Sequence, residues 1–163
     1  MTPLDTLHAA IDTRVDAIRA VVPDWPCAKG CDTCCRQLAS LPLLTPVEWA
    51  LLREGLAALP AAQLAAIRAR LDALGAEPRR PVTCPLLDPA SGACPVYRHR
   101  PVACRTYGFY VERDKGLICA TIEAEAATGR LDAVVWGNQA AVAQQLAAQG
   151  EPRSLFAWFN ELR

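Results

Sequence analysis

Eight cysteines, Cys27, Cys31, Cys34, Cys35, Cys84, Cys94, Cys104 and Cys119, fall between residues 27 and 119 of a 163-residue chain, and the segments on either side have none. Thiolates are the ligands of zinc and iron centres and the nucleophiles of redox chemistry, so their spacing is the first thing to read. The leading group is Cys27-x3-Cys31-x2-Cys34-Cys35. If helical, it sets Cys27, Cys31 and either Cys34 or Cys35 on one face; if a turn, Cys31 and Cys34 form the short loop that presents two thiolates to one metal. Adjacent Cys34 and Cys35 point in different directions. One then ligates while the other packs, bridges a second ion or acts as a redox thiol. Cys84, Cys94 and Cys104 are too widely spaced to act locally, but can complete a site begun by the first group.

The cysteine fraction lies below the roughly 8–10% of short secreted disulfide scaffolds. With 17 basic and 17 acidic residues the formal charge is zero, which gives no field for general nucleic-acid or anionic-membrane binding. No run approaches the roughly 20 apolar residues of a membrane span. The opening MTPLDTLHAAID interrupts any leader-like stretch with Asp5, His8 and Asp12, so the expectation is a cytoplasmic protein. In that reducing compartment clustered cysteines read as a metal or redox site rather than a disulfide set.

Charge is distributed to match. A four-thiolate centre around a divalent ion is net negative and calls for neighbouring donors. Lys29 and Arg36 flank the first group, and Arg98, Arg100 and Arg105 flank Cys104. His99 is the one histidine near the cysteines, as an additional ligand, a proton carrier or a plain exposed loop residue. Tyr97, Tyr107 and Tyr110 either pack over the site or close a substrate pocket. There is no Ser/His/Asp set, phosphate loop or dinucleotide fingerprint.

The run Cys27-x2-Gly30-Cys31-x2-Cys34-Cys35, Leu44-Thr45-x2-Glu48, Cys84-Pro85-Leu86-Leu87, Gly92-x-Cys94-x-Val96-Tyr97-x2-Arg100-Pro101-x2-Cys104-Arg105 resembles the bacterial YkgJ-type cysteine-cluster family, the CxxCxxCC zinc- or iron-chelating domain. The resemblance covers about residues 27–108. It implies a small, mainly helical, intracellular metal-chelating domain with ligands Cys27, Cys31, Cys34, Cys35, Cys84, Cys94 and Cys104. Cys119 and His99 stand as possible additions, and Arg36, Tyr97, Arg100 and Arg105 as surrounding support. Flagellin lysine methylases carry a similar pattern in longer chains.

Zinc suits a closed sulfur-rich site, and eight cysteines could fill two tetrahedral sites; an iron or iron–sulfur centre is close behind. Cys27-x3-Cys31-x2-Cys34 also has the spacing of radical enzymes that use S-adenosylmethionine. The chain lacks the repeated strand–helix units of their barrel, and Thr33 stands where they place an aromatic. The expectation is a metal-binding protein without catalysis. An iron–sulfur redox or group-transfer enzyme is the alternative, and an arginine-lined interaction module a second.

The elements that position these residues are helical. The expected fold is one mainly α domain, 1–163, with an irregular cysteine region over 27–119 between helices 2–22 and 130–163, and one short β-hairpin. Leu4, Leu7, Ile11, Val15, Ile18 and Val22 form a stripe opened by Thr2, Pro3 and Asp5 and ended by Pro23 and Pro26. Thr45-Pro46-Val47-Glu48 starts a second helix carrying Leu51, Leu52 and Leu56; a third begins near Pro60 with Leu64, Ile67, Leu71 and Leu74, and the two form a helical hairpin. Pro78, Pro81, Pro85, Pro89, Gly92, Pro95 and Pro101 make residues 76–106 irregular. Lacking a core of its own, that segment would be held by metal instead. Phe109–Glu112 and Leu117–Ala120 form the hairpin. Leu131, Val134, Val135, Asn138, Val142 and Leu146 give a fourth helical stripe. Ser154 caps a last helix with Leu155, Trp158, Phe159 and Leu162 inward. Trp25, Trp49, Trp136 and Trp158 pack in the core, and His8 sits at the edge of the first stripe.

Overall fold

A computed structural model of the chain describes residues 1–113, 115 and 119–162. In chain order the elements are α1 (Pro3–Val21), α2 (Thr33–Arg36), β1 (Leu43–Leu44), α3 (Pro46–Ala57), α4 (Ala61–Leu74), a 3-10 turn at Tyr97–His99, α5 (Val102–Thr106), β2 (Tyr110–Val111), α6 (Ala120–Ala127), β3 (Gly137–Asn138), α7 (Gln139–Ala147), β4 (Arg153–Ser154) and α8 (Leu155–Asn160). The mainly helical expectation holds. Among the described residues no helix is long and apolar enough to cross a membrane. The chain divides into two compact units, Met1–Ala28 with Val102–Gln149, and Lys29–Pro101 with Gly150–Arg163.

The first unit is built on α1. Thr2 Oγ1 accepts from the Asp5 N–H at 3.1 Å, and Asp5 Oδ2 accepts from the Thr2 N–H at 2.8 Å; with Pro3 lacking an N–H, only that of Leu4 is left of the orphan donors at this helix start. All six residues of the apolar stripe are buried, each worth about 1.5–3 kcal/mol of transfer free energy. The helix packs against α5 and α7. Trp25 stacks on Phe109 at 5.7 Å between centroids and meets the edge of Trp136 at 5.5 Å.

Two sequence expectations fail in this unit. Residues 131–138 are not helical: they run through turns into β3, and Asn138 is the N-cap of α7, its Oδ1 accepting from the Ala141 N–H at 3.2 Å. An apolar spacing of three and four fits a run of turns followed by a helix as well as one long helix, and the capping oxygen decides where helix begins. Val135 is accordingly 66% exposed. Nor does the expected hairpin strand run on to Ala120, and among the described residues β2 has another partner. It pairs in parallel with β3, Tyr110 opposite Gly137 and Val111 opposite Asn138; a Cβ on Gly137 would overlap the Tyr110 ring. Of the expected partner segment, residues 117 and 118 lie outside the described residues, and Ala120 already opens α6.

The second unit has one continuous core. Thr45 and Glu48 make a buried capping box at the start of α3, Glu48 Oε2 accepting from the Thr45 N–H at 2.8 Å and its hydroxyl at 2.9 Å. Trp49, Leu52 and Leu56 of α3 join Ile67 and Leu71 of α4 and Leu155, Trp158 and Phe159 of α8. Ser154 caps α8, and its strand β4 pairs antiparallel with β1. Trp158 stacks on Trp49 at 5.9 Å and donates its indole N–H to the Leu44 carbonyl at 2.8 Å. Leu162 lies beyond α8 and is 39% exposed, contrary to its inward assignment.

The proline-rich segment is irregular as far as Val96, but Tyr97–His99 form a 3-10 turn and Val102–Thr106 are α5, so the expectation of irregular chain to residue 106 fails at its end; nor does the segment lack a core. Val82, Leu86, Leu87 and Val96 are buried in this same cluster. Their anchoring is not periodic, because each sits between prolines and turns and drops into the core singly. Backbone pairing then closes the loops: Leu38 and Val82 exchange both hydrogen bonds at 2.9 Å, Asp88 pairs with Ala93, and Arg70 Nε donates to the Pro85 carbonyl at 2.9 Å.

Candidate metal centre

In the second unit α2 carries Cys34 and Cys35, and a single strand-like contact brings the distant loop to them. Next to the Leu38–Val82 bridge, the Cys84 N–H donates to the Cys35 carbonyl at 2.7 Å. The turn at 88–93 then reverses the chain. Asp88 Oδ1 and Oδ2 accept from the Ala90 N–H and the Ser91 hydroxyl, the Gly92 N–H donates to the Asp88 carbonyl at 2.9 Å, and Cys94 follows at once. Gly92 has φ +66°, and a Cβ there would stand 3.2 Å from Asp32 Oδ2. That aspartate forms an ion pair with Arg36 at 2.6 Å across α2. Glycine is therefore required twice, by its backbone and by its neighbour.

The sulfurs gathered this way sense one another. The thiols of Cys34 and Cys35 share a hydrogen bond, which with burial and the neighbouring sulfur drives the Cys34 thiol well above its usual range. Burial pushes Cys84 up to about 11, with like-charge repulsion from Cys94 and Cys34 adding to it. Cys94 is also raised, by burial. Opposing groups favour the thiolates. Backbone hydrogen bonding, chiefly from Leu86 at Cys84 and from Val96 at Cys94, favours the ionised form, while the Leu87 N–H donates to the Cys84 carbonyl at 3.1 Å. In both cases the next residue is proline, Pro85 or Pro95, whose fixed φ and missing N–H favour a chain that turns its following amides back on the sulfur. The positive charges of Arg100 and Lys29 also act on Cys94.

Cys31 is exposed, its thiol 3.8 Å from Thr33 Oγ1. Tyr97 lies between two cations, with Arg100 Cζ 3.7 Å and Lys29 Nζ 5.9 Å from its ring centroid. His99 is elsewhere: its ring packs on Gly55 of α3, with no room between them for a Cβ.

The remaining cysteines belong to the first unit. Cys27 donates its thiol to the Tyr107 carbonyl at 3.5 Å, and its own carbonyl accepts from Arg19 at 3.1 Å. Cys104 is half-buried on α5, where Arg105 pairs with Asp12 at 3.6 Å. Cys119 is the N-cap of α6 and lines a cavity of about 190 Å³ with Tyr107, Tyr110 and Ile122.

All eight cysteines are free thiols. Cys34, Cys35, Cys84 and Cys94 share one neighbourhood, although among the described residues no three His, Cys, Asp or Glu side chains are arranged as a finished ion cage. The donor chemistry fits a thiolate-loving metal: sulfur donors, amide N–H groups directed at them and cations beside them. Sequence reading missed the two Cys-Pro turns as N–H donors and the Asp32–Gly92 contact. The repeated Cys-Pro dipeptide was the available signal for the first; nothing local announced the second.

A family model for CxxCxxCC, described as a putative zinc- or iron-chelating domain, covers residues 26–128. No curated protein and no solved structure matches the chain.

Proposed function

Because the chain belongs to the CxxCxxCC family of zinc- or iron-chelating domains, we propose that it holds zinc, with iron as the competing metal, through clustered thiolates. The proposed donors are Cys31, Cys34, Cys35, Cys84 and Cys94 in the second unit and Cys27 and Cys104 in the first. The observation that carries this reading is the backbone bond from the Cys84 N–H to the Cys35 carbonyl at 2.7 Å, which sets the 84–94 loop beside α2, with the Cys84 thiol in repulsive reach of the Cys34 and Cys94 sulfurs. A divalent ion among them would offset that repulsion. When bound, the metal would replace protons on the sulfurs and tie α2 to the 84–94 loop. The amides of Leu86 and Val96 would support the thiolates.

Elemental analysis with an anaerobic absorption spectrum of the purified protein tests the reading. A colourless protein with stoichiometric zinc is the expected result. A brown protein absorbing near about 400 nm, as iron–sulfur charge transfer requires, replaces zinc by iron and favours the redox alternative. A folded, metal-free protein with paired cysteines overturns the reading.

A further inference from the structure

A thiolate centre around a divalent ion keeps more negative charge than the metal cancels, and in a half-buried setting that surplus is costly. The second unit carries a fixed positive group on the turn that begins at Cys94. The Arg100 guanidinium lies 3.7 Å from the Tyr97 centroid, and its Nη1 donates to the Tyr97 carbonyl at 3.2 Å. Ring and carbonyl together hold the plane of the guanidinium, which an exposed arginine would leave free to turn. Tyr97 follows Cys94 by three residues, its N–H donating to the Cys94 carbonyl at 3.2 Å. The turn that carries the sulfur therefore also carries the group that orients the charge. Lys29, exposed on the loop before Cys31, approaches the same ring at 5.9 Å.

We propose that Arg100, held on the Tyr97 ring and seconded by Lys29, is a positioning residue: the counter-charge of the centre that contains Cys94, and a determinant of its metal affinity. This rests on the thiolate reading above and adds to it a role for charge at a distance. The strength of that charge effect depends on screening, because the group acts through space and not as a ligand.

The test is the zinc affinity of the full-length chain, measured by competition with a chromophoric chelator at low and at high salt. Arg100→Lys, Arg100→Gln, Arg100→Glu and Lys29→Gln are compared with the wild type. Affinity should fall in the order wild type, Arg100→Lys, Arg100→Gln, Arg100→Glu, with Arg100→Gln weaker by about tenfold and the spread narrowing as salt is added. Lys29→Gln, on an exposed loop and safe for folding, should show a smaller loss of the same sign. A purely structural role would leave Arg100→Lys as weak as Arg100→Gln at every salt concentration, and that result overturns the proposal. So does equal affinity in all five proteins. Failure of the wild type to bind zinc overturns the thiolate reading and this proposal with it, and is told apart by the wild-type measurement alone.

Discussion

The Cys84 N–H donates to the Cys35 carbonyl at 2.7 Å, joining two cysteine groups that lie far apart in the chain. Beside it, Leu38 and Val82 exchange two more backbone bonds. The register of this short pairing decides which sulfurs can meet, because a one-residue slip would turn the Cys84 side chain to the opposite face. It places Cys84, 8% exposed, within electrostatic reach of Cys34 and Cys94.

Replacing Cys84 by serine should therefore remove most of the bound metal while leaving the backbone pairing intact. The oxygen is a harder and shorter donor, and the remaining thiols lose one member of their set. Elemental analysis of Cys84→Ser beside Cys119→Ser checks this: the first is expected to lose at least half its metal and the second to retain it. Equal metal in both would remove Cys84 from the donors.

Metal removal should soften the second unit in particular. Its loop over 76–101 is held by single apolar anchors and a few backbone bonds rather than by regular elements. A ligand present at 1,000 times its dissociation constant stabilises the fold by about 4 kcal/mol. Thermal unfolding with and without a strong chelator should show a clear drop in Tm. Amide exchange should rise first around Cys84 and Cys94, with α1 protected in both states. An unchanged melting curve would mean that the metal is not coupled to the fold.

What could be read in advance follows from how local each signal is. The starts of α1 and α3 were legible because Thr2 with Asp5 and Thr45 with Glu48 cap within three residues of themselves. The stripe of α1 was legible because six buried residues share one period. The pairing of β2 with β3 was not, since two strands of two residues carry no period and Gly137 is chosen by a distant Tyr110 ring. The same division holds at the site. Where the cysteines lie in the chain was plain from Cys27 to Cys104, but the grouping of Cys34 and Cys35 with Cys84 and Cys94 depends on the 82–94 loop folding back on α2. So too does the role of Gly92, whose φ of +66° and whose neighbour Asp32, sixty residues earlier, come only with the folded loop.

Gly92→Ala should be destabilising by roughly 1–2 kcal/mol, because φ +66° disfavours any Cβ. The new Cβ would also press on Asp32, 3.2 Å away, and disturb its pairing with Arg36 at the start of α2. Denaturant unfolding gives the stability change, and metal content should fall alongside it because Cys94 is two residues on. Full stability in Gly92→Ala would show that the 88–93 turn adopts another conformation.

Acid should act on α1 through its cap. Hydrogen bonds from the Thr2 backbone N–H and hydroxyl hold the Asp5 carboxyl below its usual value of 3.8. The folded state thus binds this proton less readily than the unfolded chain, and the stabilisation is fully present above the unfolded value and fades as pH falls through the lower, folded one. Asp5→Ala removes the group altogether. The wild type should melt at a higher temperature than Asp5→Ala near pH 6, and the gap should narrow as pH falls below the usual carboxylate value of 3.8 and through the lower, folded one. Because any acid-driven loss of metal affects both proteins alike, the difference between them isolates the cap. A gap that persists unchanged to pH 2 would mean that Asp5 stabilises α1 by packing rather than by charge.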